Sequence, residues 1–379
     1  MEVSFVNTKE IAELRRRWAP DKNCVGRIFG CFVNCQKEII SRFSVSAALM
    51  AQGEAEKYLS LFKKTLSGAP DRNLLSLSFT TAQVADSDEH RMLNALRLSN
   101  CEDEEAREAL FARMIEVIKS DENYLILLAS DTFDVPFRKG DTIRQESETV
   151  FRYFLCCVCP VRDGKPELGY FAEDREFRSC TPPQTVSAPD FGFLFPSFDN
   201  RRANIYSTLF YTKDASCSHE AFISEVLKTE APMSAGAQKE AFGDALTESL
   251  EEGCSFTVIR SVHEQIRDRI EEYKESGELD PIDFSSRDVA QILRDSGVED
   301  GKVTTFEERC TEAFGKDAPL SPANLIDTRR FEVRTPSVRV TVSSDALEKI
   351  DVREVDGRKY LMIPADEGVE INGMTVHAE

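Results

Sequence analysis

The sequence of this 379-residue chain lacks the signatures G-x-S-x-G, H-E-x-x-H, G-x-x-x-x-G-K-[ST] and G-x-G-x-x-G. These patterns mark hydrolase nucleophile elbows, zinc metalloproteases, P-loop proteins and Rossmann dinucleotide-binding proteins. None of these chemistries therefore has local support in the sequence.

Long apolar runs are also missing. No run approaches the roughly 18–20 apolar residues that a membrane-spanning helix needs. The start of the chain lacks the basic and then apolar order of a secretory signal peptide. The eleven cysteines are an odd number and lie in apolar runs without the spacing of a small secreted scaffold, so we expect reduced thiols. Together these features predict a cytoplasmic protein with no membrane segment.

Basic residues are in deficit. The chain has 47 Lys and Arg against 67 Asp and Glu, which gives a formal net charge of -20 and a pI near 4.8. A surface this acidic repels phosphate backbones, whereas non-specific nucleic-acid binding depends on clustered Lys and Arg. Contact with DNA would therefore need a local basic patch or a protein intermediary.

What is present is typical of a globular protein, since 41% of residues are hydrophobic and 30% are charged. The length exceeds the roughly 250–300 residues at which one core stops growing, so two or three domains are expected. Periodicity predicts helices over 8–17, 53–66 and 86–119, and aromatic and β-branched runs predict one sheet over 124–212.

The second part of the chain has a different texture. Helical spacing and capping-box patterns at Ser285 to Asp288 and Thr304 to Glu307 predict helices, and the turns Asp356-Gly357 and Asn372-Gly373 predict hairpins. The predicted fold is α+β. It comprises a mixed α/β domain (1–230) with an antiparallel or mixed sheet, a helical region (231–326) and a small C-terminal β-meander (327–379).

Carboxylates flank several predicted strands. Asp131, Asp134, Asp190 and Asp199 could form the two-metal site of a metal-dependent hydrolase or nuclease. Acidic chains produce such coincidences readily, and loop starts favour Asp in any case. The structural interpretation is therefore preferred, and no metal or cofactor is predicted.

Cysteines and histidines form two further sets. Cys156, Cys157 and Cys159 could hold zinc or act as thiols, but neighbouring strand residues face opposite sides, so only Cys157 and Cys159 share a face. Buried packing is preferred for them. Cys24, Cys31 and Cys35 lack the paired spacing of zinc fingers, and plain packing is preferred for these three over a metal site. The histidines are His90, His219, His263 and His377. His219 or His263 could serve a cysteine nucleophile, yet nothing in the sequence places base against nucleophile, and surface or cap roles are preferred.

One compact basic and aromatic patch stands out, namely Arg15, Arg16, Arg17 and Trp18, and it is the predicted binding site. Arginine beside an aromatic ring can grip phosphate and stack on a base. Cationic residues at a helix C-terminus also stabilise the helix by interacting favourably with its dipole, and that interpretation is preferred. Further arginine pairs are Arg201 with Arg202 and Arg329 with Arg330.

Several blocks resemble an uncharacterised family from Firmicutes, domain of unknown function 4317. They are KEIAELRRR at 9–17, IFGCFVN at 28–34, LFKKTLSG at 61–68, SAPDFGFLFP at 187–196 and ADEGVEING at 365–373. This resemblance covers essentially the whole chain and implies no activity. The order of elements, with YKESGELD at 273–280 and VRVTV at 338–342, is also similar to the bacterial nucleoid-associated protein family, which is likewise acidic. That second resemblance implies association with the nucleoid and transfers no residue roles.

These observations favour a non-enzymatic interaction protein that acts through a protein partner, or on DNA through a local basic patch. The alternatives are the metal-dependent hydrolase and the zinc or thiol site. The sequence does not fix the oligomeric state.

Overall fold

The structure is a computed structural model that describes residues 8–139, 142–217, 219–276, 282, 284–316, 318, 320–328, 330–364, 368–371 and 374–376. The chain divides into two compact units, Met1–Ala235 and Gly236–Glu379, which we call the N-terminal and C-terminal units. The predicted fold class, α+β, is confirmed. The further division of the second unit at residue 326 stays a prediction.

Helices in the N-terminal unit flank a sheet. They are α1 (Thr8–Arg17), α2 (Gln52–Lys64), α3 (Thr81–Ala85), α4 (Asp88–Leu98), α5 (Glu104–Val117) and α6 (Glu220–Phe222), which continues as a π-helical turn, Ile223–Leu227. The strands are β1 (Arg27–Val33), β2 (Ile39–Ser46), β3 (Leu74–Ser78), β4 (Asn123–Lys139), β5 (Thr142–Arg162), β6 (Glu167–Phe171), β7 (Glu176–Cys180), β8 (Thr185–Val186), β9 (Phe191–Phe195), β10 (Ser197–Asp199), β11 (Arg202–Asn204) and β12 (Ser207–Thr212).

One antiparallel sheet organises this unit, with the strand order β2-β1-β4-β5-β9-β12-β3 and β8 paired to β5. Strands β10 and β11 form a separate hairpin, as do β6 and β7. The run Leu168 to Phe171 was predicted to join the main sheet. That prediction is wrong, because β6 pairs with β7 alone among the described strands.

Each face of the sheet supports its own core because consecutive strand residues point to opposite sides. Phe154 and Cys156 of β5 pack on the face that carries α4 and α5, where Leu93 and Leu110 are fully buried. Leu155 and Cys157 pack on the face that carries α1 and α2. Helices therefore cover the sheet on both sides.

The predicted helical stretch 86–119 is interrupted. Asn100 and Cys101 adopt left-handed backbone conformations, with φ of 54° and 64°, between α4 and α5. Such values stop a right-handed helix. Apolar residues at helical spacing are buried on both sides of the break, among them Met92, Leu96 and Met114.

The C-terminal unit combines helices and small hairpins. Its helices are α7 (Ala235–Leu250), α8 (Phe256–Ser276), α9 (Ser286–Asp295), α10 (Asp300–Phe314) and α11 (Pro322–Leu325). Its strands pair as β13 (Arg330–Arg334) with β14 (Arg339–Ser343), β15 (Asp351–Val355) with β16 (Arg358–Met362), and β17 (Val369–Ile371) with β18 (Met374–Val376). The core between the helices includes Val262, Ile266, Val289 and Phe306.

Two local sequence signals in this unit match the structure and one does not. The capping box of Ser285 and Asp288 is confirmed at the start of α9. The box predicted at Thr304 is wrong, because Thr304 lies inside α10 and its hydroxyl donates to the Asp300 carbonyl, 3.0 Å away. The Asp356-Gly357 hairpin turn is confirmed, with φ of 51° and 75°. Residues Asn372 and Gly373 lie outside the described residues.

None of the helices that the structure describes is both long enough and apolar enough to cross a bilayer.

Gly192 provides a test of the packing between central strands. It lies in β9 between Cys157 of β5 and Tyr211 of β12. A Cβ atom there would overlap the Cys156 carbonyl oxygen and lie 3.0 Å from the Cys157 Cα. Since backbone atoms cannot move aside cheaply, we expect Gly192→Ala to lower the free energy of unfolding by about 1–3 kcal/mol.

The measurement is urea unfolding followed by tryptophan fluorescence, because Trp18 is the only tryptophan and lies buried in the same unit. Gly26→Ala is the matched control, since a Cβ at Gly26 meets nothing within 4 Å. Equal losses in the two variants would contradict the predicted clash.

Candidate functional sites

The end of helix α1 is attached to the sheet by an ion pair. Nε of Arg17 donates to Oδ2 of Asp131 at 2.8 Å, and Nη2 donates to Oδ1 at 3.1 Å. Nη2 also donates to the Thr132 carbonyl at 2.9 Å. Two parallel N–H···O bonds of this kind fix orientation as well as charge. Arg17 is therefore committed to an internal contact.

The Asp131 carboxylate is buried and fully hydrogen-bonded. Its Oδ2 also accepts from the Tyr153 hydroxyl at 2.8 Å, and its Oδ1 accepts from the Cys24 backbone N–H at 2.7 Å. A carboxylate offers about four lone-pair positions, and the four donors here occupy them. Burial, followed by the Asp131 charge, raises the pKa of Tyr153 well above its ordinary value. This geometry makes the cluster a structural anchor.

The remaining residues of the predicted basic patch do not form one exposed surface. Trp18 is buried, and its ring lies 5.0 Å from that of Phe62 and 6.4 Å from that of Tyr153, so it offers no open face for a base. Arg15 is half-buried, and Arg16 is exposed. The predicted combination of arginine with a stacking aromatic is therefore not presented to solvent.

The arginines of the other two pairs differ in their surroundings. The Arg201 guanidinium donates to the Glu13 carboxylate at 2.9 Å, and its backbone N–H donates to Glu10 at 2.8 Å. These contacts attach α1 to the β10–β11 hairpin. Arg202 is exposed and Arg330 belongs to the C-terminal unit, whereas Arg329 lies outside the described residues.

The candidate metal-binding carboxylates are likewise separated. Asp131 was predicted to start a loop, but β4 continues to Lys139 and places it inside a strand, because β4 stays paired with β5 over that length. Asp134 is exposed, and Asp190 forms an ion pair with Lys213 at 3.2 Å. Within the described ranges, no group of three or more His, Cys, Asp or Glu residues is arranged to hold a metal ion.

The clustered cysteines are packing residues. Cys156 contacts the Met114 sulfur at 3.8 Å on one face of the sheet, and Cys157 and Cys159 lie 3.9 Å apart on the other. The prediction that only these two share a face is confirmed. Burial raises the pKa of Cys156 and Cys157 well above the ordinary value, so both thiols stay protonated and poorly nucleophilic. In the other group, Cys31 is buried, whereas Cys24 and Cys35 are exposed.

His219 lines a small cavity in the N-terminal unit. The cavity has a volume of about 340 Å³, and Tyr124, Phe191 and Cys217 also line it. The His219 ring lies 4.5 Å from that of Phe191, and burial lowers the pKa of His219 against the opposing charges of Asp190 and Asp214. The buried Tyr124 hydroxyl has no hydrogen-bond partner among the described residues, and burial raises its pKa to about 12. A neutral imidazole and a hydroxyl thus border one cavity.

The other histidines are structural or lie elsewhere. His90 Nε2 is 2.9 Å from the Ile205 carbonyl, and its Nδ1 is 3.2 Å from the Asn94 amide. His263 is buried in the C-terminal unit. His377 lies outside the described residues.

An exposed apolar surface on the β6–β7 hairpin is the main feature that sequence reasoning missed. Leu168, Tyr170 and Phe177 are 74%, 57% and 68% exposed. The register pairs Tyr170 with Phe177 and Leu168 with Ser179, so the three apolar side chains share one side. We call these three residues the hairpin face. The residue types of β6 and β7 gave no signal for its exposure, although the turn that joins them, 172–175, carries three charged residues.

The opposite side and the base of this hairpin are better anchored. The Arg178 guanidinium lies over the Phe171 ring, 4.8 Å from its centroid. At the base, the Gln184 amide donates to Asp163 at 2.6 Å. The hairpin is thus attached at its base, while the hairpin face remains exposed to solvent.

The fold is that of an α+β protein with an antiparallel sheet covered by helices, followed by a helical unit with small hairpins. The family described as Domain of unknown function (DUF4317) matches residues 6–374, and the chain belongs to this family. No curated protein matches the chain. The resemblance to nucleoid-associated proteins gains no support from these comparisons and stays a hypothesis.

The Arg17–Asp131 anchor predicts strong coupling. Removing either partner leaves a charge in a poorly hydrated site, so we expect Arg17→Met and Asp131→Asn each to lower the free energy of unfolding by about 3 kcal/mol. The double variant should lose clearly less than the sum. Urea unfolding monitored by Trp18 fluorescence measures all three. Arg16→Met is the control, with a change below about 0.5 kcal/mol; additive losses would contradict the anchor.

The burial of His219 predicts that the free energy of unfolding depends on pH. Unfolded histidine titrates near a pKa of about 6.5, and the folded group titrates lower because it is buried. At pH values below the unfolded pKa, the unfolded chain therefore binds more protons than the folded chain. The stabilisation is fully present above the unfolded pKa and is lost as the pH falls toward the folded pKa. We expect the loss of unfolding free energy between about pH 7.5 and 5.5 to be smaller in His219→Gln than in the unaltered protein. An NMR titration of His219 with a midpoint at or above the ordinary value would contradict this.

Proposed function

We propose that this chain is a non-enzymatic cytoplasmic interaction protein that docks a basic protein partner through the hairpin face. The observation that carries the proposal is the exposure of Leu168, Tyr170 and Phe177 on one side of a two-stranded hairpin. Isolated two-stranded hairpins are marginally stable in water, and a contiguous exposed apolar patch is typical of an interaction site. A partner that covers this face would stabilise the hairpin by removing its apolar surface from water.

The composition of the face also suits protein recognition. The Tyr170 and Phe177 rings lie 5.3 Å apart and form a paired aromatic surface. Aromatic residues are enriched among those that dominate binding energy at interfaces, where they fill pockets on the partner. Leu168 extends this surface along β6.

Charge selects the kind of partner. A net charge of -20 attracts basic surfaces and raises their rate of encounter, while it repels DNA itself. Proteins that bind DNA carry such basic surfaces. The proposed route to the nucleoid is therefore indirect, through a DNA-binding protein, and the internal commitments of Arg17 and Trp18 support this route over direct binding.

Photo-cross-linking in cells tests the docking. A benzophenone amino acid replaces Phe177 in one variant and the exposed turn residue Glu173 in a control on the same hairpin. We expect an adduct with a basic protein from position 177, which persists after nuclease treatment and is absent or much weaker from position 173. Mass spectrometry identifies the adduct and its isoelectric point.

A second variant checks that the apolar face provides the affinity. The combined Leu168→Ser, Tyr170→Ser and Phe177→Ser changes should abolish co-purification of the cross-linked protein, whereas Glu173→Ser should retain it. An adduct only with a second copy of the chain, an acidic partner, or loss of the complex on nuclease treatment would each contradict the proposal.

A further inference from the structure

The C-terminal unit contains a cavity that is separate from the proposed docking face. Its volume is about 640 Å³, within the range of about 300–1,000 Å³ typical of small-molecule sites. Helices α7 and α8, the segment after α11 and the β13–β14 hairpin line it, and it is open to solvent on the side of the exposed Lys239 and Arg330. Its apolar wall includes Phe242, Leu246, Val262 and Phe331.

The polar part of this cavity carries more positive than negative groups. Lys239, Arg330 and Arg339 line it together with Asp327 and Glu332. Arg339 pairs with Glu332 at 2.5 Å, while the Lys239 and Arg330 side chains form no ion pair with a described residue. In a chain with a net charge of -20 this is a local reversal of sign. Two cationic side chains that form no ion pair with a described residue lie beside an apolar wall. This arrangement favours the binding of an anion with an apolar body.

His263 adds a hydrogen-bond acceptor. Its Nε2 lies 2.9 Å from the Asp327 carbonyl oxygen. Because a carbonyl only accepts, the proton resides on Nε2, and Nδ1 of the neutral ring carries a lone pair. The residue is 6% exposed, and its buried Nδ1 has no hydrogen-bond partner among the described residues. Phe331 holds the ring edge-on at 5.2 Å.

Burial favours the neutral form of this histidine. It lowers the pKa of His263, and the nearby charge of Arg267 lowers it further, against the Asp327 carbonyl bond and the charges of Asp327 and Glu264. An unpaired buried acceptor is costly, so a ligand that donates to Nδ1 would relieve that cost.

We infer that this cavity binds a small organic anion that carries an apolar body and one hydrogen-bond donor. Its carboxylate or phosphate monoester lies against Lys239 and Arg330. Its apolar body contacts the wall formed by Phe242 and Phe331, and its hydroxyl or N–H donates to His263 Nδ1. This site is independent of the hairpin face.

Calorimetric titration of the full chain tests the inference with defined probes. They are phenyl phosphate, benzoate, the ortho, meta and para hydroxybenzoates, neutral benzyl alcohol, and inorganic phosphate. We expect at least one aromatic anion to bind, with benzyl alcohol and inorganic phosphate at least about tenfold weaker. Carboxylate and phosphate probes distinguish the two anionic groups. Lack of heat from every aromatic anion, or equal affinity for inorganic phosphate, would overturn the inference.

Variants locate the bound anion. Lys239→Gln and Arg330→Gln should each weaken binding by about tenfold or more, because each removes one charge-assisted contact. Arg358→Gln is the matched control, since Arg358 lies exposed in the same unit and does not line the cavity. Melting curves confirm that the variants fold. Equal affinities of Arg330→Gln and Arg358→Gln would place the anion elsewhere and overturn the assignment.

The acceptor role of His263 has its own readout. In spectra of protein labelled with ¹⁵N-histidine, the Nδ1 resonance of His263 should indicate an unprotonated nitrogen, and a bound hydroxybenzoate should shift it more than benzoate does. A proton on Nδ1 in the free protein, or identical shifts with benzoate and all hydroxybenzoates, would overturn the proposed hydrogen bond.

Discussion

The burial of β5 on both of its faces is the constraint on which the N-terminal unit depends. Phe154 and Leu155 are neighbours in sequence, yet each belongs to a different core, and both are fully buried. A shift of the strand by one residue would exchange every side chain between the two cores. Helices on both sides therefore depend on one register, and polar groups within the sheet must find partners there. The complete hydrogen bonding of Asp131 meets this requirement.

Much of the fold could be predicted because it rests on local patterns. The alternation along β5 placed Cys157 and Cys159 on one face, and helical periodicity located α1, α2, α4 and α5. Failures occurred where backbone conformation or tertiary pairing decided the outcome. The left-handed Asn100 and Cys101 split one predicted helix, and pairing across the sheet extended β4 past Asp131.

The candidate sites were harder to foresee because they depend on contacts between residues far apart in sequence. Arg17 and Trp18 read as an exposed patch, yet their partners Asp131 and Tyr153 lie more than a hundred residues away. The sequence indicated His263 only as a possible base for a cysteine nucleophile, because its role as an acceptor follows from the Asp327 carbonyl that fixes its tautomer. Exposure of the hairpin face was equally hidden, because the same residue types would fill an internal strand.

Because some cysteines are exposed and others are buried, the rates at which their thiols are modified report local opening of the chain. Cys24, Cys35 and Cys217 are exposed, whereas Cys157 and Cys310 are buried in the N-terminal and C-terminal units, respectively. Alkylating reagents attack thiolates, and burial raises the pKa of Cys310 to about 12. Labelling under native conditions therefore starts at the exposed positions. Later modification of Cys157 or Cys310 times the opening of each unit separately, without an introduced probe.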